Sequence, residues 1–273
     1  MTNMTNNSTD NWLRRSLFLL LACFSLSTVW AQGDDFGMWY EVGAEKKLSS
    51  KWSAGLDAEF RTRDDAKTAD RWSLGASVDY RLLKTTSFSM KASGGYTLLY
   101  DNNPEKLTYK NSDGLPKRWT PSYWGVRHRV NLSLSASMDL GRWTIGLRER
   151  WQFTHRPEKA NQRYAFQYDE RGGMTMPSDD QWEAVKAKDH GMLRSRLQVE
   201  YNIKKTKIDP FASVEMFSDS HGIAKMRYQA GLEYKLSKQH RFSLTYRYQD
   251  ISEDDDDNDV NSHLIGLGYQ FKF

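Results

Sequence analysis

Residues 52–61, WSAGLDAEFR, alternate without a break: Trp52, Ala54, Leu56, Ala58 and Phe60 fall on one phase, and Ser53, Gly55, Asp57, Glu59 and Arg61 on the other. A period of two belongs to an extended strand, whose neighbouring side chains point to opposite faces, and excludes an amphipathic helix, which needs apolar residues three and four apart. The division repeats in WSLGASVDYRL from Trp72, FSMKASGGYTLLY from Phe88, WGVRHRVNLSLSASMDL from Trp124 and WTIGLRERWQF from Trp143. It recurs in LRSRLQVEY, MRYQAGLEYKL and FSLTYRYQ, and less regularly in MWYEVGAEKKL and IDPFASVEMF, where Pro210 suggests a strand edge or end. With the C-terminal segment, about eleven candidate strands result.

Two architectures bury such strands. A soluble barrel or sandwich turns the apolar phase inward, whereas a membrane barrel turns it out to lipid. Mean hydropathy is −0.77, so the chain is no bundle of apolar helices. Yet it carries ten Trp and fourteen Tyr, rings suited to the lipid headgroup zone. Trp52, Trp143 and Phe242 each open a strand after a short connection, whereas Trp72, Tyr100, Trp124 and Phe153 lie beside longer ones. They are expected to form two girdles. The short connections LSSK, LLKTT, LG, NIKKTK and LSKQ alternate with mostly longer polar segments, the asymmetry of periplasmic turns and external loops.

The ends agree with this reading. Arg14 and Arg15 precede the apolar run SLFLLLACFSLSTVW, and Ala31 then meets QGDD, the order of an export signal over residues 1–31 cleaved after Ala31. The run is shorter than the roughly 20 apolar residues of a spanning helix. Lipoprotein processing at Cys23 is less consistent, because hydrophobic FSLSTVW follows it. No cysteine remains beyond Cys23, which excludes a disulfide framework, a thiolate metal site or a cysteine nucleophile from the mature chain. The chain ends HLIGLGYQFKF, with Ile265, Leu267, Tyr269, Phe271 and Phe273 on one phase. This resembles the terminal strand that outer-membrane barrels present to the barrel-insertion machinery.

Beyond that general class, WYEVGAEKKLSSKWSAGLDAEFR, TADRWSLGASVDYRL, GYTLLYDNN, GLPKRWTPSYWGVRHRVNLSLS and GRWTIGLRERWQFTHRPE resemble an outer-membrane β-barrel family known as domain of unknown function 2490. The resemblance spans nearly all of the chain after the leader. It implies fold and location and transfers no catalytic residue. The expectation is a single all-β domain over residues 32–273, an antiparallel transmembrane barrel of the cell outer membrane. An even strand number would put both termini on the periplasmic side; eleven segments do not, so a miscount or an extra strand, giving ten or twelve, is expected.

Function is less legible: the expected barrel suits a narrow channel, a surface-binding protein or a structural component. The balance of 39 Lys plus Arg against 35 Asp plus Glu, with both signs interspersed, gives no support to nucleic-acid binding. On the inward phase Arg61, Arg81, Arg127, Arg129, Arg148, Arg150, Arg194, Arg196 and Arg247 face Asp57, Glu59, Asp79, Asp139, Glu200 and Glu233 as candidate partners. They read as an ion-pair plug or, in a wider barrel, as the lining of a pore. Arg127, Arg129, Arg148 and Arg150 on one hairpin form the candidate basic cluster, which would face a small-molecule or ion substrate. His128 and Glu149 fall on the lipid-facing phase, so interfacial polar residues are weighed there against a lipid-modifying hydrolase using a nearby serine. The run Glu253–Asp259 offers oxygen ligands for Ca²⁺ but lacks the glycine and final glutamate spacing of a calcium loop, so a solvated external loop is expected. The long connection from His155 to His190 is expected to act as a lid or plug, with a short helix in QWEAVKAKDH. No cofactor motif is present, and a secreted soluble ligand-binding barrel remains the alternative architecture.

Overall fold

Alternation specifies which face a side chain takes and leaves open how many strands close and in which direction. The computed structural model describes residues 34–110, 114–175, 178–252 and 260–273. The leader expected over residues 1–31 and the acidic run Glu253–Asp259 lie outside the described residues. All eleven alternating segments are strands: β1 (Asp35–Lys47), β2 (Trp52–Arg63), β3 (Thr68–Lys84), β4 (Phe88–Asn103), β7 (Tyr123–Leu140), β8 (Trp143–Arg156), β11 (Lys188–Tyr201), β12 (Ile208–Ser218), β13 (Ile223–Lys235), β14 (His240–Ile251) and β15 (Ser262–Lys272). They close into one barrel in the order β1, β15, β14, β13, β12, β11, β8, β7, β4, β3, β2.

The barrel has eleven strands, which corrects the expectation of ten or twelve. Successive strands run antiparallel, so with an odd number the first and last run the same way. β1 and β15 accordingly pair in parallel, from Asp35↔Ser262 to Glu45↔Lys272. In hydrocarbon an unpaired edge costs several kcal/mol per group. A parallel ladder satisfies both edges, at slightly lower stability per residue, so closure requires pairing and not an even count. Pro210, expected at a strand edge, lies just beyond Phe211↔Glu200, where β11 stops pairing with β12.

One end of the barrel carries tight connections: residues 48–51, 85–87, 141–142, 202–207 and 236–239. In the two-residue connection Gly141 adopts φ of +67°, the left-handed conformation that such hairpins require and glycine supplies without steric cost. The other end carries residues 104–122, 157–187 and 252–261 beside two short turns. The long-connection end is the external one.

Side-chain exposure decides between lipid and a dry core. Leu56 is 62% and Leu74 61% exposed, whereas Asp101, Glu215 and Arg247 are between 4% and 6% exposed. A soluble barrel would show the reverse, so the soluble ligand-binding alternative is ruled out: burying charge while exposing leucine is stable only where the exterior is hydrocarbon.

The two long connections build a structure of their own. β5 (Lys106–Tyr109), β6 (Pro116–Thr120), β9 (Lys159–Ala165) and β10 (Trp182–Val185) form a four-stranded sheet in the order β10, β9, β6, β5. Trp119 on β6 sits opposite Tyr164 on β9, and Tyr164 opposite Trp182 on β10. The Tyr164 hydroxyl donates to Gln181 Oε1 at 2.5 Å, and Gln181 and Val185 are buried beneath. The helix expected in QWEAVKAKDH is not formed: only Gln181 belongs to a 3-10 turn, Asp179–Gln181, and the rest runs into β10 and the start of β11. A partner edge from the preceding long connection outweighs a weak local helical preference.

Candidate functional site

Each inward position is a residue one phase away from a lipid-facing leucine or aromatic, so the outer wall fixes the lumen. Outside, paired rings mark both rims. Near the external end Tyr40, Phe60, Trp72 and Tyr100 stand at cross-strand positions on β1 to β4, with ring centroids 6.0 Å apart for Tyr40–Phe60 and 4.1 Å for Phe60–Trp72. Tyr100 stacks on Trp124 at 4.8 Å. At the short-turn end Trp52 packs on Tyr80 at 4.7 Å, Trp143 on Tyr201 at 4.6 Å and Phe242 on Tyr269 at 5.1 Å. Trp52 and Phe60 are eight residues apart on β2, about 26 Å along a strand. A tilt of roughly 40° reduces this to about 20 Å, somewhat less than the roughly 25 Å apolar band of outer-membrane barrels.

Inside, the arginines converge on two carboxylates. Glu215 accepts from Arg148 at 2.6 Å, Arg194 at 3.0 Å and Arg227 at 3.3 Å. Asp101 pairs with Arg71 and, at 3.1 Å, with Arg127. A third focus is apolar: Trp39, only 4% exposed, lies inside the lumen with the Arg61, Arg247 and Arg227 guanidinium carbons 3.3, 4.0 and 5.1 Å from a ring centroid. Arg61 also meets Glu59 at 2.6 Å and Arg247 meets Glu41 at 3.1 Å. Weakly hydrated guanidinium groups stack on an indole face more readily than ammonium groups do. Here the stack places an indole and three guanidinium groups inside the lumen.

The sequence-level partners are largely elsewhere. Asp79 pairs with Lys91, Glu200 with Lys235 and Glu233 with Arg241, all near the short turns, while Asp139 accepts from Thr144. Arg81 donates to the Ser50 carbonyl in that layer. Alternation concealed the effective partners. Asp101 follows TLLY, where Leu99 breaks the pattern by turning inward, and Glu215 lies in the least regular segment, with Phe217 also inward and buried. Trp39 escaped notice because a tryptophan is expected to face lipid.

The central band consequently carries a cationic excess: ten inward arginines (Arg61, Arg71, Arg127, Arg129, Arg148, Arg150, Arg194, Arg196, Arg227 and Arg247) against Glu41, Asp57, Glu59, Asp101 and Glu215. Of the hairpin cluster, Arg127 and Arg148 pair with the carboxylates above. Arg129 donates to Thr154 at 3.2 Å and Arg150 to Ser133 at 2.9 Å. Arg129, Arg150 and Arg196 make no ion pair with a carboxylate among the described residues. Toward the short turns lies a cavity of about 420 Å³, walled by Ser77, Ser93, Ser133 and Ser135, bordered on one side by Arg148, Arg150 and Arg196 and on the other by Asp79, Lys91 and Glu200. Asp79 and Glu200 are paired with Lys91 and Lys235, so the donors left to meet an anion are the hydroxyls and the guanidinium groups of Arg150 and Arg196.

The hydrolase reading loses its geometry. On the outer face His128 faces His155 on β8, whereas Glu149 faces Leu134 on β7, six residues further along the strand, about 20 Å away. Glu149 instead accepts from Ser195 at 2.6 Å, and His128 bonds the Tyr96 hydroxyl at 2.7 Å. His128 and Glu149 are thus not brought together on a shared serine.

A closed barrel with an apolar exterior, girdled rims and an arginine-lined interior is an integral membrane β-barrel of the outer-membrane type. Within that class the chain belongs to DUF2490, a protein family of unknown function, which it matches over residues 36–261. No curated protein sequence matches it. Among solved structures it is similar to the NanC porin, with 14% identity, 88% of this chain and 99% of that one covered and a TM-score of 0.47. It is also similar to the translocator domain of the autotransporter NalP from Neisseria meningitidis, with 10% identity, 89% and 92% coverage and a TM-score of 0.47. A third similar structure is the beta domain of the Bordetella autotransporter BrkA, with 13% identity, 82% coverage of both chains and a TM-score of 0.44.

Proposed function

We propose that the protein is a narrow anion-selective conduit, exported by a leader over residues 1–31 and inserted through its C-terminal strand. One observation carries the reading: Arg129, Arg150 and Arg196 face the lumen without a carboxylate partner among the described residues, so the band bears net positive charge in a confined bore. A ring of one sign in a low-dielectric wall attracts counter-ions and repels co-ions. The basic cluster Arg127, Arg129, Arg148 and Arg150 lies on this path, with Trp39 in the same lumen. Trp52, Trp72, Trp124, Trp143 and Phe242 serve as headgroup anchors. Ile265, Leu267, Tyr269, Phe271 and Phe273 present the phase that the insertion machinery reads.

Planar-bilayer recording in a KCl gradient tests the conduit. The expected reversal potential has the sign of chloride preference, and replacing Arg129, Arg150 and Arg196 together by Gln moves it toward zero. Trp39→Ala is expected to raise conductance by removing the ring that three arginines stack upon. Cation preference, or silence of both the wild type and Trp39→Ala, defeats the proposal.

A further inference from the structure

Gly146 lies inside β8 with no reason for a glycine in its own backbone. It faces Ser137 on β7 and Gln198 on β11 with no register break, and its φ is not positive. A Cβ built on it would meet only the Ala136 carbonyl oxygen, at an ordinary 3.9 Å. Glycine weakens a strand interior, and where neither a bulge nor a crowding backbone accounts for it, the bare position leaves room for a ligand against the wall. That room belongs to the cavity of about 420 Å³ toward the short turns, whose lining comes from β3, β4, β7, β8 and β11.

Many polar groups of this lining answer one another. Asp79 is held by Lys91 and Ser93, Glu200 by Lys235, and Ser89 and Ser137 bond each other at 2.8 Å. Arg150 and Arg196 have no carboxylate partner, and the side chains of Ser77, Ser135 and Gln198 make no hydrogen bond among the described residues. Ser135 and Arg196 stand on either side of Arg148 in one cross-strand row, and Ser137 and Gln198 on either side of Gly146 in the next. Open hydroxyl and amide groups therefore lie beside the open cations.

An inorganic anion would use the two guanidinium groups alone. A hydroxyl offers one donor and two acceptor positions and an amide offers both kinds, so three such groups left open match a solute with hydroxyls of its own. No aromatic ring is among the lining residues, and the apolar members, Ala136 and Leu147, lie on the outward phase. Neither a stacked base nor an oily ligand finds a surface there. We propose that the cavity binds a small polyhydroxylated carboxylate of the sugar-acid class, with its carboxylate on Arg150 and Arg196, its hydroxyls on Ser77, Ser135 and Gln198, and one edge against Gly146. Guanidinium forks match the paired oxygens of a carboxylate, and the volume falls within the roughly 300–1,000 Å³ of small-molecule sites. The inference rests on the anion-conducting reading of the lumen and names the class of solute admitted.

The test titrates the purified full chain in detergent by calorimetry with D-glucuronate, with acetate, which keeps the carboxylate and lacks the hydroxyls, and with D-glucose, which has the reverse. Glucuronate is expected to bind at least about tenfold more tightly than either, because each analogue forfeits several hydrogen bonds. Replacing Ser77, Ser135 and Gln198 together by Ala is expected to bring glucuronate down to the level of acetate. Gly146→Val, which fills the bare position, is expected to remove the same advantage by another route, and heat-dependent gel mobility verifies that each variant folds. The proposal is overturned if none of the three solutes binds, if glucuronate and acetate bind alike, or if the advantage of glucuronate survives in a folded variant. The reversal potential of the wild type in a KCl gradient reads the conduit separately. Chloride preference without a glucuronate advantage removes the sugar-acid site alone, whereas a glucuronate advantage with cation preference removes the conduit and leaves the site.

Discussion

At the residue scale the lumen and the surface show how burial changes the worth of a charge pair. Glu215 is 4% exposed and is shared by three arginines. Converting it to Gln leaves their positive charges facing one another, and removing one partner from a buried network costs about 3–5 kcal/mol. Glu215→Gln should therefore lower the unfolding free energy of the vesicle-folded protein by that amount, read from its urea titration. Lys67 and Asp65 also meet, at 3.2 Å, but are 75% and 69% exposed, so Lys67→Ala should leave the unfolding free energy unchanged within about 1 kcal/mol. Equal losses in the two variants would show that the inward network is hydrated and contributes nothing beyond a surface pair. Sequence reading located the arginines by their phase but misassigned their partners, because phase says nothing about which carboxylate lies across the bore.

At the element scale β8 carries both characters of the wall. Its inward phase supplies Arg148 and Arg150; its outward phase supplies Leu147 and Trp151, with Glu149 between them. Alternation at sequence level already put Glu149 outward, and the structure provides its answer, Ser195 on β11 at 2.6 Å. One hydroxyl donor offsets only part of the cost of a carboxyl group facing acyl chains. Replacing Glu149 by Leu and Ser195 by Ala is expected to stabilise the barrel by about 1–2 kcal/mol, read as a higher urea midpoint in lipid vesicles. A lower midpoint would mean that this face is covered by protein or water. The four strands of the external sheet are the elements that sequence reading missed. Each has four to seven residues, too short for a period to show, and pairing between two distant connections forms them.

At the scale of the whole molecule, closure places the first and last strands side by side and pointing the same way. Asp35 pairs with Ser262 and donates its backbone N–H to the Asn261 carbonyl at 2.8 Å, at the end that carries the long connections. A cysteine at position 35 is expected to react with a membrane-impermeant maleimide in intact cells, whereas one at position 239, in a short turn, is expected to react only after lysis. Equal labelling would be incompatible with a parallel seam between β1 and β15, and the reverse pattern would overturn the assignment of the long-connection end to the cell exterior. The sequence alone determined where the long barrel strands lie and that leucines and aromatics line one face while arginines line the other, because a period of two is a local property that no partner is needed to read; that these eleven segments close as they stand, with none added or merged, was not legible in it. Only the tertiary structure decided the parallel seam, the turning of Trp39 into the bore, the gathering of arginines on Asp101 and Glu215, and the four-stranded sheet of the external connections. Each of these depends on which strand lies beside or across from which, and that is fixed by closing a ring in a solvent that satisfies no open edge.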